Sequence, residues 1–206
     1  MSAASCRRHL VIFARRPQVG VGKRRLARGA GDLTAWRFQR LMLARLLRRL
    51  APDPRWTTWL AVTPDRAAGD LRWMPGAGRA RVRAMPQGPG DLGRRMARPM
   101  ATLPPGPVVL VGSDIPDLGP AQVAAAFAGL DGGDAVLGPA DDGGYWLVGL
   151  GARARKRPPF KGVRWSGPHA LRDTIANLDR AGLGWRTLET LSDVDAAGDL
   201  APAHFR

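Results

Sequence analysis

Six aspartates and one glycine-rich basic loop hold most of the chemistry open to this 206-residue chain. Asp114 and Asp117 follow the apolar run Val108–Val111, which Gly112 and Ser113 end, and Pro116 stiffens the turn between the two carboxylates. Two carboxylates held there could coordinate a divalent cation through hard oxygen ligands. The same residues also suit a turn aspartate and a helix cap. Asp141 and Asp142 stand before Gly143 and Gly144, either facing the same cleft as Asp114 or serving the turn itself. Asp193 and Asp195 recur near the end. Opposite in charge is the stretch 14–29, with Pro17, Gly20, Gly22 and the cations Arg15, Arg16, Lys23, Arg24, Arg25 and Arg28. A strand, a glycine-rich basic loop and a helix can surround phosphates with backbone N–H groups and a lysine. The loop is neither a P-loop nor a Rossmann fingerprint, since no Gly-Lys-Ser/Thr and no third glycine fall at the required spacing.

Smaller signals surround these. Gln87, Gly88, Gly90 and Asp91 form a loop from which Asp91 can cap a helix carrying Leu92, Arg95 and Met96. Lys161 and Arg164 could reach a phosphate, whereas Trp165 reads as core. His169 and His204 lack any partnered spacing, and Cys6 is the only cysteine, which rules out a cysteine-based metal cluster and an intrachain disulfide framework.

Charge is unevenly spread. Residues 1–100 hold 22 of the 32 basic and 5 of the 17 acidic side chains, a net of +17, while residues 101–206 hold 10 and 12, a net of −2. Such asymmetry fits a nucleic-acid surface, or a cleft with a phosphate-receiving rim opposite a carboxylate rim. Aromatic residues are not interleaved with the basic run, and no helix-turn-helix, zinc-finger or RNA-binding signature is present, so no specific nucleic acid is expected. The apolar run at residues 10–14 is too short for a signal core or a membrane span, which leads to the expectation of a cytoplasmic protein without membrane insertion.

The elements that must position these residues alternate. Strands are expected at 9–14, 56–62, 79–85, 108–111, 134–137, 145–150 and 184–188. A helix capped by Asp32 or Thr34 is expected to run to about Leu50, another to start with Pro120 at its first position, and a third to enter near Ser166 or Gly167 with Pro168 in its first turn. Residues 151–159 read as an exposed basic connection, and a terminal helix is expected after Asp195. This alternation is the signature of one α/β domain spanning 1–206 with a largely parallel sheet, whose ligands lie at the strands' carboxyl ends.

Six stretches in order add a resemblance. Residues 13–26 (FARRPQVGVGKRRL), 90–96 (GDLGRRM), 112–118 (GSDIPDL), 138–150 (GPADDGGYWLVGL), 165–168 (WSGP) and 193–200 (DVDAAGDL) resemble the motifs of the DUF2064 family of glycosyltransferase A-like proteins, related to the molybdenum-cofactor and phospholactate guanylyltransferases. The resemblance implies a GT-A, Rossmann-like three-layer sandwich with a mostly parallel mixed sheet. It implies a Mg²⁺ or Mn²⁺ ion on Asp114 and Asp195, with Asp193 competing for the second position. Ala14, Arg15, Gly22, Lys23, Arg25, Gln87, Gly90, Asp91, Ser113 and Asp114 would surround the nucleotide, with Lys23 and Arg25 on its phosphates. Gly143, Gly144 and Tyr145 would complete the nucleotide-binding set, Asp142 and Tyr145 would lie near the acceptor side, and Asp142 is the candidate general base.

The chain departs from the family pattern at Val21, Gly22 and Arg24. It departs again at Ala196, Ala197 and Gly198, where a proline start and a capping carboxylate are lost. The implied activity is transfer from a nucleotide-activated donor to a small acceptor, with glycosyl transfer from a nucleoside-diphosphate sugar first. Nucleotidyl transfer from a triphosphate is the alternative, and a silent nucleotide-binding protein or a nucleic-acid module stands behind both.

Overall fold

In the computed structural model, which describes residues 7–74 and 82–205, seven strands form one mixed sheet in the order β3-β2-β1-β4-β6-β5-β7. The strands are β1 (His9–Arg15), β2 (Thr57–Thr63), β3 (Val82–Pro86), β4 (Val108–Val111), β5 (Ala135–Pro139), β6 (Tyr145–Leu150) and β7 (Trp185–Thr187). Residues 79–81, the start of the expected third strand, lie outside the described residues. Neighbours pair in parallel except at β6, which runs antiparallel to both β4 and β5. The carboxyl ends of the six other strands and the start of β6 therefore share one edge of the sheet.

Side-chain alternation along the strands feeds two cores. Leu10 and Ile12 of β1 face α2 (Asp32–Leu50) and α4 (Pro120–Leu130), joining Leu43, Leu46, Leu50, Val123 and Phe127. Val11 faces the opposite layer, where α3 (Leu92–Thr102) and α6 (Ala170–Arg180) contribute Met96, Met100 and Leu178. β4 is buried throughout, as its unbroken apolar run predicts for a strand covered on both faces.

Several boundaries differ from the sequence expectation. Gly31, at φ +85°, separates a short helix, α1 (Arg24–Ala30), from α2; Asp32 is thus the first residue of α2 and neither it nor Thr34 is the cap. Helix α6 starts at Ala170, several residues later than expected, because the 166–169 segment packs its backbone onto Gly143 first. Residues 151–159 are not simply exposed: they contain α5 (Ala152–Arg155), which buries Ala154 while Arg155 donates to the carbonyls of Met100, Leu103 and Pro104. The terminal helix is absent among the described residues, where only 3₁₀ turns form at Ala197–Asp199 and Pro202–Phe205. Asp117 is exposed and does not cap α4; that cap is Gly119, whose N–H donates to Gln122 at 3.0 Å. Asp91 caps α3 as expected, accepting from the Arg94 N–H at 2.8 Å. No described helix is long and apolar enough to cross a membrane.

Candidate active site

Three separate parts of the chain meet at the Lys23 ammonium. Lys23 stands at the end of the β1 loop in a left-handed backbone conformation (φ 38°, ψ 48°), as N-cap of α1. Such a conformation is strained for a residue with a Cβ, and strain of this kind collects at functional sites. Its ammonium pairs with Asp114 and lies 3.6 Å from Asp193 and 3.8 Å from Asp195.

Asp114 is delivered by the turn after β4. The distant pair arrives along the edge of β5. Leu188 N–H donates to Leu137 O at 2.8 Å, Leu191 N–H to Pro139 O at 3.2 Å, and Val194 N–H to Asp114 O at 3.1 Å. Val194 is buried with Leu26, Ala35, Phe38 and Met42, so its two aspartate neighbours turn together toward Lys23. The lost family carboxylate has a substitute, contrary to the sequence expectation: Asp199 accepts from the backbone N–H groups of Asp195 and Ala196 at 2.9 and 2.7 Å.

Electrostatics bind the cluster. Burial opposes the charge on Lys23, but Asp114, Asp193 and Asp195 outweigh it and hold the ammonium above the ordinary lysine range. Burial, together with the Asp114 carboxylate, pushes the Asp193 carboxyl up despite the nearby ammonium, and Asp142 and Asp195 add to the rise. Arg25 takes the other side of Asp195 at 2.7 Å. Among the described residues no group of three or more His, Cys, Asp or Glu side chains is arranged as a metal cage. The carboxylates are nonetheless the hard oxygen donors that Mg²⁺ and Mn²⁺ take, and the Lys23 ammonium stands in for a cation among them.

Two cavities open on either side of Asp114. One, of about 150 Å³, is walled by Arg15, Gly22, Lys23, Gln39 and Ser113 with the buried Phe38 and Leu43. The other, of about 250 Å³, is walled by Asp142, Gly144, Tyr145, Trp165 and Asp193, with Leu92, Met96 and Ile115 among its apolar residues. Gly143 lets the β5–β6 turn approach the 166–169 segment beside the second cavity: at φ +82°, a Cβ there would lie 2.6 Å from Pro168 Cα. Asp142 accepts from the Gly144 N–H at 2.8 Å, which orients its carboxylate. Burial keeps the Tyr145 phenol protonated far above neutrality, with the Thr174 hydroxyl 3.5 Å away. Trp165 is only half-buried and lines the cavity, more than the core residue expected of it.

Other candidate residues are engaged elsewhere. The Gln87 amide donates to the carbonyls of Ala14 and Ala61, both at 2.8 Å, and its oxygen accepts from Arg95, so this side chain straps the ends of β1 and β2. Gly90 and Asp91 sit at the exposed entrance of α3, and Arg25 is largely exposed. Asp141 is held by the Ser192 hydroxyl. Arg164 grips Asp173 at 2.8 and 2.7 Å, which removes it as a free phosphate ligand. Asp193, which the resemblance offers only as a competitor of Asp195, lies against Lys23 together with it. Gln39 and Phe38, in the interior of α2, carried no signal of a cavity wall.

The fold is that of the nucleotide-diphospho-sugar transferases, the GT-A, Rossmann-like type. A candidate nucleotide-diphospho-sugar transferase from Desulfovibrio desulfuricans G20 is 28% identical, covers 92% of this chain and 82% of its own, and superposes with a TM-score of 0.77. The CMP:2-keto-3-deoxy-manno-octonic acid synthetase complexed with CTP shares the fold at 11% identity (TM-score 0.59, covering 96% and 97%). Glucosyl-3-phosphoglycerate synthase from Mycobacterium tuberculosis, in complex with Mn²⁺, UDP and glucosyl-3-phosphoglycerate, shares it at 14% (TM-score 0.55, covering 92% and 71%). The chain belongs to the family DUF2064, described as an uncharacterized protein conserved in bacteria, whose profile matches residues 46–167. That span includes Asp114 and Asp142 but neither Lys23 nor the Asp193–Asp195 pair. No curated protein matches the chain.

Proposed function

We propose that the protein is a metal-dependent glycosyltransferase that moves a sugar from a nucleoside diphosphate to a small acceptor. The observation that carries this reading is Asp114 as the wall common to two cavities, one beside cationic Arg15 and Lys23, the other acidic and aromatic. A donor diphosphate suits the first, an acceptor the second, and the reacting carbon belongs between them. Asp114, Asp193 and Asp195 would hold a divalent cation, which supplies charge stabilisation to a leaving diphosphate. Lys23, displaced from the carboxylates, would neutralise phosphate oxygens together with Arg15. Asp142, oriented by the Gly144 N–H, would accept the proton of the acceptor hydroxyl. The acceptor oxygen then bonds to the anomeric carbon as the bond from that carbon to the diphosphate oxygen breaks, and the diphosphate leaves with the electron pair. Burial keeps the Tyr145 phenol protonated, which makes it a hydrogen-bond donor and no base.

A second reading, nucleotidyl transfer with loss of pyrophosphate, is favoured by the basic glycine-containing loop, where Arg15, Lys23 and Arg25 provide charge for a triphosphate. Calorimetry with UDP- and GDP-sugars, UTP, CTP and GTP, with Mg²⁺ or Mn²⁺, on the wild type and Asp114→Ala separates the two. Metal-dependent binding of a sugar nucleotide in preference to triphosphates is expected. Triphosphate preference moves the assignment to nucleotidyl transfer, and binding that Asp114→Ala leaves intact sinks both.

A further inference from the structure

The second cavity restricts what the acceptor can be. Three carboxylates line it, Asp114, Asp142 and Asp193, together with the rings of Tyr145 and Trp165, and among the described residues no lysine, arginine or histidine is part of its wall. Counting Asp195, the cluster holds four carboxylates against Lys23 and Arg25, a formal balance of −2. The cations beside it are already paired with carboxylates. Lys23, which lines the other cavity, is held among Asp114, Asp193 and Asp195, and Arg164, next to Trp165 in sequence, is locked onto Asp173 by two hydrogen bonds. A divalent cation would cancel the formal charge, yet the donor diphosphate would claim it. An anionic acceptor would thus be desolvated against carboxylates with no partner of its own, an arrangement that costs more than it returns.

We infer that the acceptor is a small alcohol carrying no phosphate or carboxylate, with an apolar or pyranose face against the Tyr145–Trp165 wall and a hydroxyl toward Asp142. This rests on the transferase reading of the site and narrows it, since it excludes attack by an acceptor phosphate. Aromatic walls beside carboxylates suit a sugar-like body, whose C–H faces pack on rings while its hydroxyls donate to oxygen.

The test uses ligand-observed saturation-transfer NMR on the full chain with two matched probes, phenyl β-D-glucopyranoside and its 6-phosphate. The glucoside is expected to bind, and the phosphate to bind at least about tenfold more weakly. The exposed Asp142→Asn change is expected to narrow that gap, and Trp165→Leu to weaken the glucoside; a thermal melt checks that each variant folds. Equal or tighter binding of the phosphate overturns the inference, as does absence of transfer to the glucoside or an unchanged gap in Asp142→Asn. Should Trp165→Leu fail to fold, the Asp142 pair of measurements decides alone. Nucleotide binding in the same samples keeps the two ideas apart. Loss of nucleotide binding with the glucoside still bound sinks the transferase reading, whereas nucleotide bound and phosphate preferred sinks only the acceptor class.

Discussion

The cavity behind Lys23 and the cavity beside Tyr145 share Asp114 and differ in almost everything else. The first is built on the β1 loop and the face of α2, so its character comes from backbone turns, Arg15 and one strained lysine. The second is built where the β5–β6 hairpin, the start of α3 and the 165–170 segment converge, and its character comes from carboxylates and rings. The difference teaches that the charge asymmetry of the chain is only partly reproduced at the site. The basic N-terminal half supplies the cationic cavity, but Arg94, Arg98 and the arginines of α2 line neither cavity, and some, such as Arg49, bind carbonyls elsewhere.

The largest effect is expected where the cavities join. Asp114→Asn should lower kcat/KM roughly a hundredfold or more and abolish metal-dependent nucleotide binding by calorimetry. Retained binding would mean the two cavities do not work as one site. Next, Lys23→Ala should pull two measurements in opposite directions. Nucleotide binding should weaken about tenfold or more as a charged phosphate partner is lost, while Mn²⁺ alone, followed by electron paramagnetic resonance, should bind more tightly because no ammonium competes for the three carboxylates. If Mn²⁺ affinity is unchanged, the ammonium is not the stand-in cation.

Gly143→Ala should act on the second cavity alone. Its φ of +82° and the Pro168 backbone within 2.8 Å of the new Cβ set an expected cost of about 1–3 kcal/mol, read as a lower Tm with nucleotide binding preserved in the folded fraction. Loss of nucleotide binding there would show that the cavities are coupled.

The smallest effect concerns the Arg164–Asp173 ion pair, next in sequence to Trp165 of the second cavity. Hydrogen bonds from the Arg164 side chain and backbone hold the Asp173 carboxyl far below its ordinary range. A depressed native value stabilises the fold above the unfolded carboxylate range and ceases to do so as pH falls through the native value. Asp173→Asn should therefore lower Tm modestly at pH 7, and the difference from wild type should shrink steadily on acidification. A gap that stays constant with pH would remove the ion pair as its cause.

Much of this arrangement is legible in the chain itself. The apolar run of β4 announces a doubly covered strand, the alternation of elements a parallel-rich sheet, and Asp91 and Pro120 the starts of α3 and α4, because these depend on local pattern and backbone preference. The 166–169 segment, α5 and the 3₁₀ ends were not legible, since their conformations answer to distant partners: the backbone at Gly143, the carbonyls gathered by Arg155, and the capping carboxylate of Asp199.

For the site, the types and spacings of residues determined that a basic loop and aspartate pairs exist and that strand ends present them. Only the tertiary structure decided that Lys23, Asp114, Asp193 and Asp195 share one point, separated by as many as 172 positions. The physical reason is that the meeting depends on parallel strand order, on the run of residues 188–191 along β5, on the Val194 N–H bond to Asp114 and on burial of Val194, none of which is a local property of the segments that carry the charges.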